Sequence, residues 1–125
     1  MTEQEKELLL KTLCALLPYG VKGIRTYKDY ETVEVYDIIP KCKMNPNIGD
    51  GIFTEISFTN MDCCTIEGFK PYLRPLSSMT DEERKELSGY ENSVQRVDFF
   101  YSHHIDCRFM IEKGLALETP EGMYN

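Results

Sequence analysis

The residues best suited to chemistry lie together in the run His103-His104-Ile105-Asp106-Cys107. Imidazole, thiolate and carboxylate groups are the ligands that zinc prefers, so the run is a candidate metal site, with Cys63 and Cys64 as distant partners. The spacing argues against this, because neighbouring helical residues point about 100° apart and no C-x-x-C or H-x-x-x-H pair is present. We therefore predict no metal and no cofactor, and interpret these residues as structural.

Cys107 is also a candidate nucleophile. A thiol at a helix N-terminus or beside a base has a lowered pKa, and Asp106 is placed to cap a last helical turn at this point. His103 and His104 supply nearby imidazoles. No motif around the thiol names a reaction, so a buried, unreactive cysteine is the preferred interpretation. His103, His104, Asp106 and Cys107 stay as catalytic candidates of a protein that we expect not to be an enzyme.

Composition indicates one globular domain over residues 1–125. The 42% of apolar residues and 28% of charged residues are ordinary values for a chain of this length. The net charge is −7, and residues 80–125 carry ten Asp and Glu against five Lys and Arg. Because nucleic-acid phosphates bind clustered basic residues, direct binding of DNA or RNA is not expected. An acidic decoy that mimics DNA ranks last, because basic residues interrupt the carboxylates.

The N-terminal residues and the cysteines are informative about the cellular compartment. Glu3, Glu5 and Glu7 are acidic where a secretory signal is basic, and no apolar run is long enough to cross a bilayer. The five cysteines cannot all pair within one chain, which is typical of reduced thiols. We predict a cytoplasmic protein with no membrane partner.

The first half of the chain predicts one helix followed by strands. A T-x-x-E capping box at Thr2 and an i, i+3, i+4 stripe of leucines indicate a helix that ends near Leu17, with Cys14 as core filler. Alternating apolar residues then predict strands over 21–27, 31–39 and 51–58, with a bulge at Gly23, a short connection over 28–30 and a loop over 41–51. Short connections favour a three-stranded antiparallel meander.

The second half predicts short helices packed on that sheet, and hence an α+β fold. Residues 62–69 fit either a strand or a helical turn. Pro71 and Pro75 exclude a continuous helix over 68–80, which we interpret as a buried connector. A capping box at Thr80 predicts a short exposed helix, and the next helix has an apolar stripe with the members Val94, Val97, Tyr101 and His104. Residues 115–120 indicate an extended segment laid on the body.

Several runs also resemble a known group of proteins. These are Leu16-Leu17-Pro18-Tyr19-Gly20-Val21, the run from Lys70 to Thr80, His103-His104-Ile105-Asp106, and the run from Lys113 to Tyr124. Together they resemble a family of short, uncharacterised proteins encoded by gut anaerobes, often within prophages and related mobile elements. The resemblance implies a small cytoplasmic accessory protein and supplies no catalytic residue.

Two functional hypotheses follow from these observations. The first is a non-enzymatic interaction protein of phage or mobile-element origin that binds a host or phage protein, since exposed tyrosines are frequent interface anchors and the chain has eight tyrosines. The second is a small enzyme or metal-binding protein that uses His103, His104, Asp106 and Cys107. Convergence of these four side chains in one pocket would favour the second hypothesis.

Overall fold

A sheet of six strands, with helices packed on it, organises the part of the chain described by our computed structural model. The structure describes residues 2–26, 31–45 and 49–124, and the backbone alone for 40–45 and 49–54. The helices are α1 (Glu3–Leu16), α2 (Asp81–Ser88) and α3 (Ser93–Ser102), and the strands are β1 (Lys22–Arg25), β2 (Thr32–Asn45), β3 (Gly49–Phe58), β4 (Cys63–Thr65), β5 (Phe69–Leu73) and β6 (Leu117–Glu118). The predicted α+β class is confirmed.

The sheet has the strand order β4-β3-β2-β1-β5-β6. All neighbouring strands are antiparallel except the parallel pair β5 and β6. The predicted meander is therefore present as β1, β2 and β3 at the centre, and the prediction of three strands was incomplete. The predicted connection over 28–30 lies outside the described residues.

Helix α1 begins at the predicted capping box. The Thr2 hydroxyl accepts from the Glu5 amide at 3.1 Å, and the Glu5 carboxylate accepts from the Thr2 amide at 2.9 Å. The leucine stripe packs on the inner face of the sheet, and its most deeply buried members are Leu9, Leu13 and Leu16. The prediction for Cys14 is wrong, since it is exposed and Thr12 lies on the buried face instead.

Strand β5 occupies part of the predicted connector. Pro71 pairs with Gly23 of β1, and Phe69, Pro71 and Leu73 are buried. A continuous helix is absent here, as predicted, but the pairing was not foreseen. The predicted bulge at Gly23 is wrong, because the register is regular there. A Cβ at Gly23 would lie 2.3 Å from the Lys70 carbonyl oxygen, so glycine permits the close approach of β5.

Strands β2 and β3 run on beyond the rest of the sheet as a two-stranded ribbon. Their ladder continues to the pair Asn45 and Gly49, whereas the described pairing of β1 with β2 covers residues 32–34 of β2 and that of β4 with β3 covers residues 55–57 of β3. The predicted loop over 41–51 is therefore wrong for 41–45 and 49–51, and residues 46–48 lie outside the described part. Pro40 does not end β2. It pairs with Thr54 of β3, and none of the described strands lies along the other edge of β2 at this position, which is a setting in which a strand tolerates proline.

The segment 62–69 combines both alternatives left open by the sequence. Residues 63–65 form β4, and Ile66–Gly68 form a 3-10 turn that leads into β5. Buried Arg25 joins this corner to β1, because its guanidinium makes ion pairs with Asp62 and Glu31.

The later helices are short, as predicted. Helix α2 has the capping box of Thr80 and Glu83 and no buried residue. The predicted stripe of α3 is only partly correct: Tyr101 is buried, but Val94 and Val97 are exposed, and Phe99 is the second buried residue of the helix. Phe99 packs with Met79 and Ile105 in a small second hydrophobic cluster. This face of α3 is therefore the one directed toward the protein interior. No described helix has the length and hydropathy to cross a membrane.

Candidate functional site

A cleft of about 660 Å³ lies between the start of α2, the end of α3 and the segment that follows β6. Cavities of this size are typical of small-ligand sites. Its lining is about half polar and half apolar by area, and its polar members are Arg74, Ser78, Thr80, Glu83, Ser102, His103, His104, Glu118, Thr119, Glu121 and Tyr124. Two of the four predicted candidates, His103 and His104, are therefore in the cleft.

Arg74 and Glu83 form the charged centre of the cleft. The Arg74 backbone is held by the chain after α3, because its amide donates to the His104 carbonyl at 2.7 Å and its carbonyl accepts from the Asp106 amide at 2.8 Å. Its guanidinium donates to both Glu83 carboxylate oxygens, at 2.9 and 2.7 Å. This bidentate contact lowers the pKa of Glu83 to about 2, so the carboxylate is ionised at neutral pH.

His103 contacts the same carboxylate. Its Nδ1 lies 3.1 Å from Glu83 Oε2, and its ring lies 4.4 Å from that of Phe99, measured between centroids. In the neutral tautomer that carries its proton on Nδ1, the ring donates to Glu83 and Nε2 is an acceptor. An imidazole oriented by a fixed carboxylate is the arrangement of a general base or a ligand anchor.

His104 is held in place by structural contacts. Its ring stacks on that of Tyr124 with centroids 3.7 Å apart and planes 6° apart, and its Nε2 donates to the Gly20 carbonyl at 2.5 Å. Burial lowers the pKa of His104, which keeps the ring neutral at pH 7. Both the ring face and Nε2 are thus occupied by the fold, so His104 is a wall of the cleft.

Tyr124 closes the cleft from the other side. Its hydroxyl accepts from the Lys22 amide at 2.9 Å and lies 2.9 Å from the Tyr72 carbonyl and 3.1 Å from that of Lys22. Burial raises the pKa of Tyr124 to about 12, so it acts here as a neutral hydrogen-bonding group. The segment after β6 is therefore attached to two strands through one side chain.

Asp106 and Cys107 lie outside the cleft lining. The Asp106 carboxylate accepts from the amides of Met110 and Ile111, at 2.8 and 2.9 Å, and the chain there forms turns in place of the predicted helical turn. Burial raises the pKa of the Cys107 thiol, which is the opposite of activation. The distant Cys64 also has a raised pKa, of about 12, because it is buried. Among the described residues, no group of His, Cys, Asp and Glu side chains is arranged to hold a metal ion.

A second hollow, which we call the outer groove, lies toward the β4 end of the sheet, on the opposite side of the central strands from the cleft. It has a volume of about 440 Å³ and lies beside β4 and the start of the ribbon, with Tyr36, Asp37, Ile39, Glu55, Ser57 and Met61 in its lining. Among the residues that the structure describes, none lines both the groove and the cleft.

A β-bulge places Tyr36 in the outer groove. Val35 pairs with Phe58 and Asp37 pairs with Ser57, so Tyr36 is the extra residue between them. The bulge shifts the alternation along β2, so that Val35 and, three residues later, Ile38 both pack against the core. Tyr36 is 71% exposed as a result.

The turn between β3 and β4 presents Met61 to the same groove. Its amide donates to the Phe58 carbonyl at 3.1 Å, and the Phe58 amide donates to the Asp62 carbonyl at 2.9 Å. Met61 has φ of 70° and is 97% exposed. A long apolar side chain that is almost fully exposed in the left-handed region contributes little to the stability of the fold.

Sequence reasoning found the histidines but not the residues that orient them or the outer groove. Arg74 and Glu83 belong to different predicted elements, and no local spacing indicates their contact. The sequence does contain a signal for the bulge. Buried apolar residues of a regular strand recur every two positions, whereas Val35 and Ile38 are three positions apart. Nothing in the sequence marks Met61.

A comparison of the chain with protein-family models, with curated proteins and with solved structures finds no match. The family resemblance and the phage or mobile-element origin therefore stay predictions, as does the cytoplasmic location.

Proposed function

We propose that the protein is a non-enzymatic interaction protein that binds a partner protein at the outer groove. The observation that carries the proposal is the convergence of two backbone irregularities on one hollow. The bulge at Tyr36 and the left-handed residue Met61 each expose a large apolar side chain there. Tyrosine and methionine are enriched in protein interfaces, and partly sheltered hollows between such side chains hold the anchors of a partner.

The charges of the outer groove indicate which kind of side chain a partner would present to it. Among the side chains that the structure describes, its lining includes the carboxylates of Asp37, Glu55 and Asp62 and no Lys or Arg. Within this set, the Asp62 carboxylate makes an ion pair with the buried side chain of Arg25. A partner that presents an apolar side chain beside a basic one complements this surface.

A paired-variant capture experiment tests the proposal. Tyr36→Lys with Met61→Lys places two positive charges in the groove, whereas Val94→Lys with Val97→Lys makes the same change on the exposed face of α3. We expect the α3 variant to capture the same partner from native lysate as the wild type, and the groove variant to lose it. Higher salt should weaken capture by the wild type. Equal capture by both variants would contradict the proposal.

A second candidate function is general-base catalysis in the cleft. The contact of His103 Nδ1 with the Arg74-paired carboxylate of Glu83 favours it, because Nε2 is a proton acceptor in the neutral tautomer that donates from Nδ1 to Glu83. A panel of activated esters tests this candidate. Turnover that His103→Gln abolishes would support it, and identical rates for the variant and the wild type would contradict it.

A further inference from the structure

The residues after β6, 119–124, form a strap along one side of the cleft, and all six of them line it. The hydrogen bonds that the structure describes between the strap and the rest of the chain lie at its two ends. At one end the Thr119 amide donates to the Leu73 carbonyl at 2.9 Å, and at the other the Tyr124 hydroxyl contacts the backbone of Lys22 and Tyr72. Residues 120–122 between them are exposed. Release of Tyr124 would therefore free the far end of the strap.

Tyr124 also completes the joint between β1 and β5. The described pairing of these strands ends with Gly23 and Pro71, and the next residues in register are Lys22 and Tyr72. The Tyr124 hydroxyl bonds to the backbone of both, since it accepts from the Lys22 amide and lies 2.9 Å from the Tyr72 carbonyl. The strap is thus anchored by contacts that a regular strand pair makes through its own backbone.

His104 lies against the face of the Tyr124 ring. The ring centroids are 3.7 Å apart, and His104 is only 6% exposed. Because a carbonyl oxygen can only accept, the contact with Gly20 shows that Nε2 carries the proton of the neutral imidazole. A second proton must therefore bind at Nδ1, and it would place a positive charge on a buried ring under the anchor of the strap.

The groups around His104 oppose such a charge on balance. Burial has the largest effect, and repulsion from Arg74, just after β5, and from His103, at the end of α3, adds to it. The carbonyls of Tyr19 and Gly20 act in the other direction, because they accept from the protonated ring. Together these effects lower the pKa of His104 from its ordinary 6.5.

Two further titratable groups face this site. Tyr124 is neutral, because burial raises its pKa to about 12, and the Glu34 carboxylate of β2 lies beside Gly20 and Tyr124. A state with the His104 ring released into water has the ordinary pKa and binds more protons below pH 6.5 than the closed state does. Acidification below this pH therefore favours release.

We propose that His104 and Tyr124 form a pH-sensitive latch, which holds the strap closed above about pH 6.5 and releases it as the pH falls. Protonation of His104 separates the two rings, the Tyr124 hydroxyl leaves the backbone of Lys22 and Tyr72, and the wall of the cleft that the strap forms opens. Neither ring lines the outer groove, and the latch requires no catalysis by His103. It therefore stands or fails independently of the proposed function.

Hydrogen exchange of two backbone amides tests the latch in the full chain. The Lys22 amide donates to the Tyr124 hydroxyl, and the Val35 amide donates to the Val21 carbonyl at 2.9 Å and is the reference for the body of the sheet. We expect the protection factor of Lys22, corrected for the intrinsic pH dependence of exchange, to fall at least about fivefold between about pH 7.5 and about pH 5. That of Val35 should change by less than about twofold. A constant factor for Lys22, or an equal fall for both amides, would overturn the proposal.

The two histidines of the chain supply a matched pair of variants. His104→Gln keeps an N–H for the Gly20 carbonyl but cannot gain a proton, so the pH dependence of Lys22 protection should disappear. His103→Gln should retain that dependence. A dependence that survives in His104→Gln, or that is lost in His103→Gln, would contradict the latch.

An NMR titration of the wild type keeps the test decisive if His104→Gln fails to fold. The ring protons of His104 and Tyr124 should shift with one common midpoint, because release of one ring exposes the other. Tyr124 ring protons that do not respond as His104 titrates would overturn the proposal.

Discussion

The cleft and the outer groove are hollows of similar scale that are built in opposite ways. In the cleft, polar side chains are fixed by one another, as in the contact of Arg74 with both oxygens of Glu83. In the outer groove, Tyr36 and Met61 extend into solvent with few contacts. Fixed polar groups suit the orientation of a small ligand, and exposed apolar side chains suit burial by a macromolecule. This difference is the basis on which we propose two binding surfaces with separate roles.

Strand β1 connects the two regions, so a substitution that disrupts its packing should destabilise both. In Gly23→Ala, the new Cβ would lie 2.3 Å from the Lys70 carbonyl oxygen and 2.5 Å from the Phe69 ring. We expect a loss of about 3 kcal/mol of unfolding free energy, because β5 must move away. Urea unfolding measures it. Gly89→Ala is the control, since its nearest contact is 3.3 Å from the Glu86 carbonyl and the expected loss is below about 1 kcal/mol. Equal losses would contradict the close approach of β5.

Glu83→Gln should weaken the cleft alone. The change removes the ion pair with Arg74, while glutamine can keep the capping box with Thr80. We expect a loss of about 2 kcal/mol of unfolding free energy at pH 7. Because the folded pKa of about 2 lies below the ordinary 4.5, this stabilisation is complete above pH 4.5 and is lost as the pH falls toward 2.

Urea unfolding at several pH values tests the sign. The difference between wild type and Glu83→Gln should shrink as the pH falls from about 5 to about 2. Glu82→Gln, at an exposed neighbouring position of α2, should leave the pH dependence of the wild type unchanged. A difference for Glu83→Gln that stays constant over this range would contradict the ion pair.

Tyr124→Phe should loosen one wall of the cleft. The variant keeps the ring that stacks on His104 but loses the hydroxyl contacts with the backbone of Lys22 and Tyr72. We expect a loss of about 1 kcal/mol and faster hydrogen exchange of the Lys22 amide. Tyr90→Phe removes a hydroxyl that contacts the Glu86 carboxylate on the exposed side of α2 and should cost less. Unchanged exchange at Lys22 would show that this wall is held by other contacts.

Met61→Asn should have the smallest effect on stability. Asparagine adopts positive φ more readily than methionine, and the exposed Met61 side chain contributes little to the fold. We expect the unfolding free energy to stay within about 0.5 kcal/mol of the wild type, measured by thermal unfolding. A loss above about 1 kcal/mol would show that Met61 is held by the fold and would remove the main argument for the outer groove.

Local patterns predicted the local structure well. The capping boxes at Thr2 and Thr80 and the leucine stripe of α1 depend on neighbours in sequence, and the structure has all three. The pairing of β5 with β1 depends instead on the absence of a side chain at Gly23, and the ribbon depends on a ladder that continues through residues typical of turns. Neither has a periodic signal.

The site shows the same limit. The sequence singled out His103, but its orientation comes from Glu83, twenty residues earlier, and from Arg74 before that. Cys107 and Asp106 had suggestive local chemistry, yet the fold uses the first as a half-buried thiol and the second to cap backbone amides. Contacts between distant elements decide which candidate residues can act together, and periodicity does not reveal them.

Site-specific photo-crosslinking tests docking at the outer groove most directly. A photoreactive phenylalanine derivative at Tyr36 lies at the groove, and the same residue at Val94 lies at a comparably exposed apolar position on α3, with exposures of 71% and 64%. In native lysate, we expect one recurring protein adduct from position 36, lost when Met61→Lys is added, and no such adduct from position 94. The same adduct from both positions, or one that persists with Met61→Lys, would contradict docking at the groove.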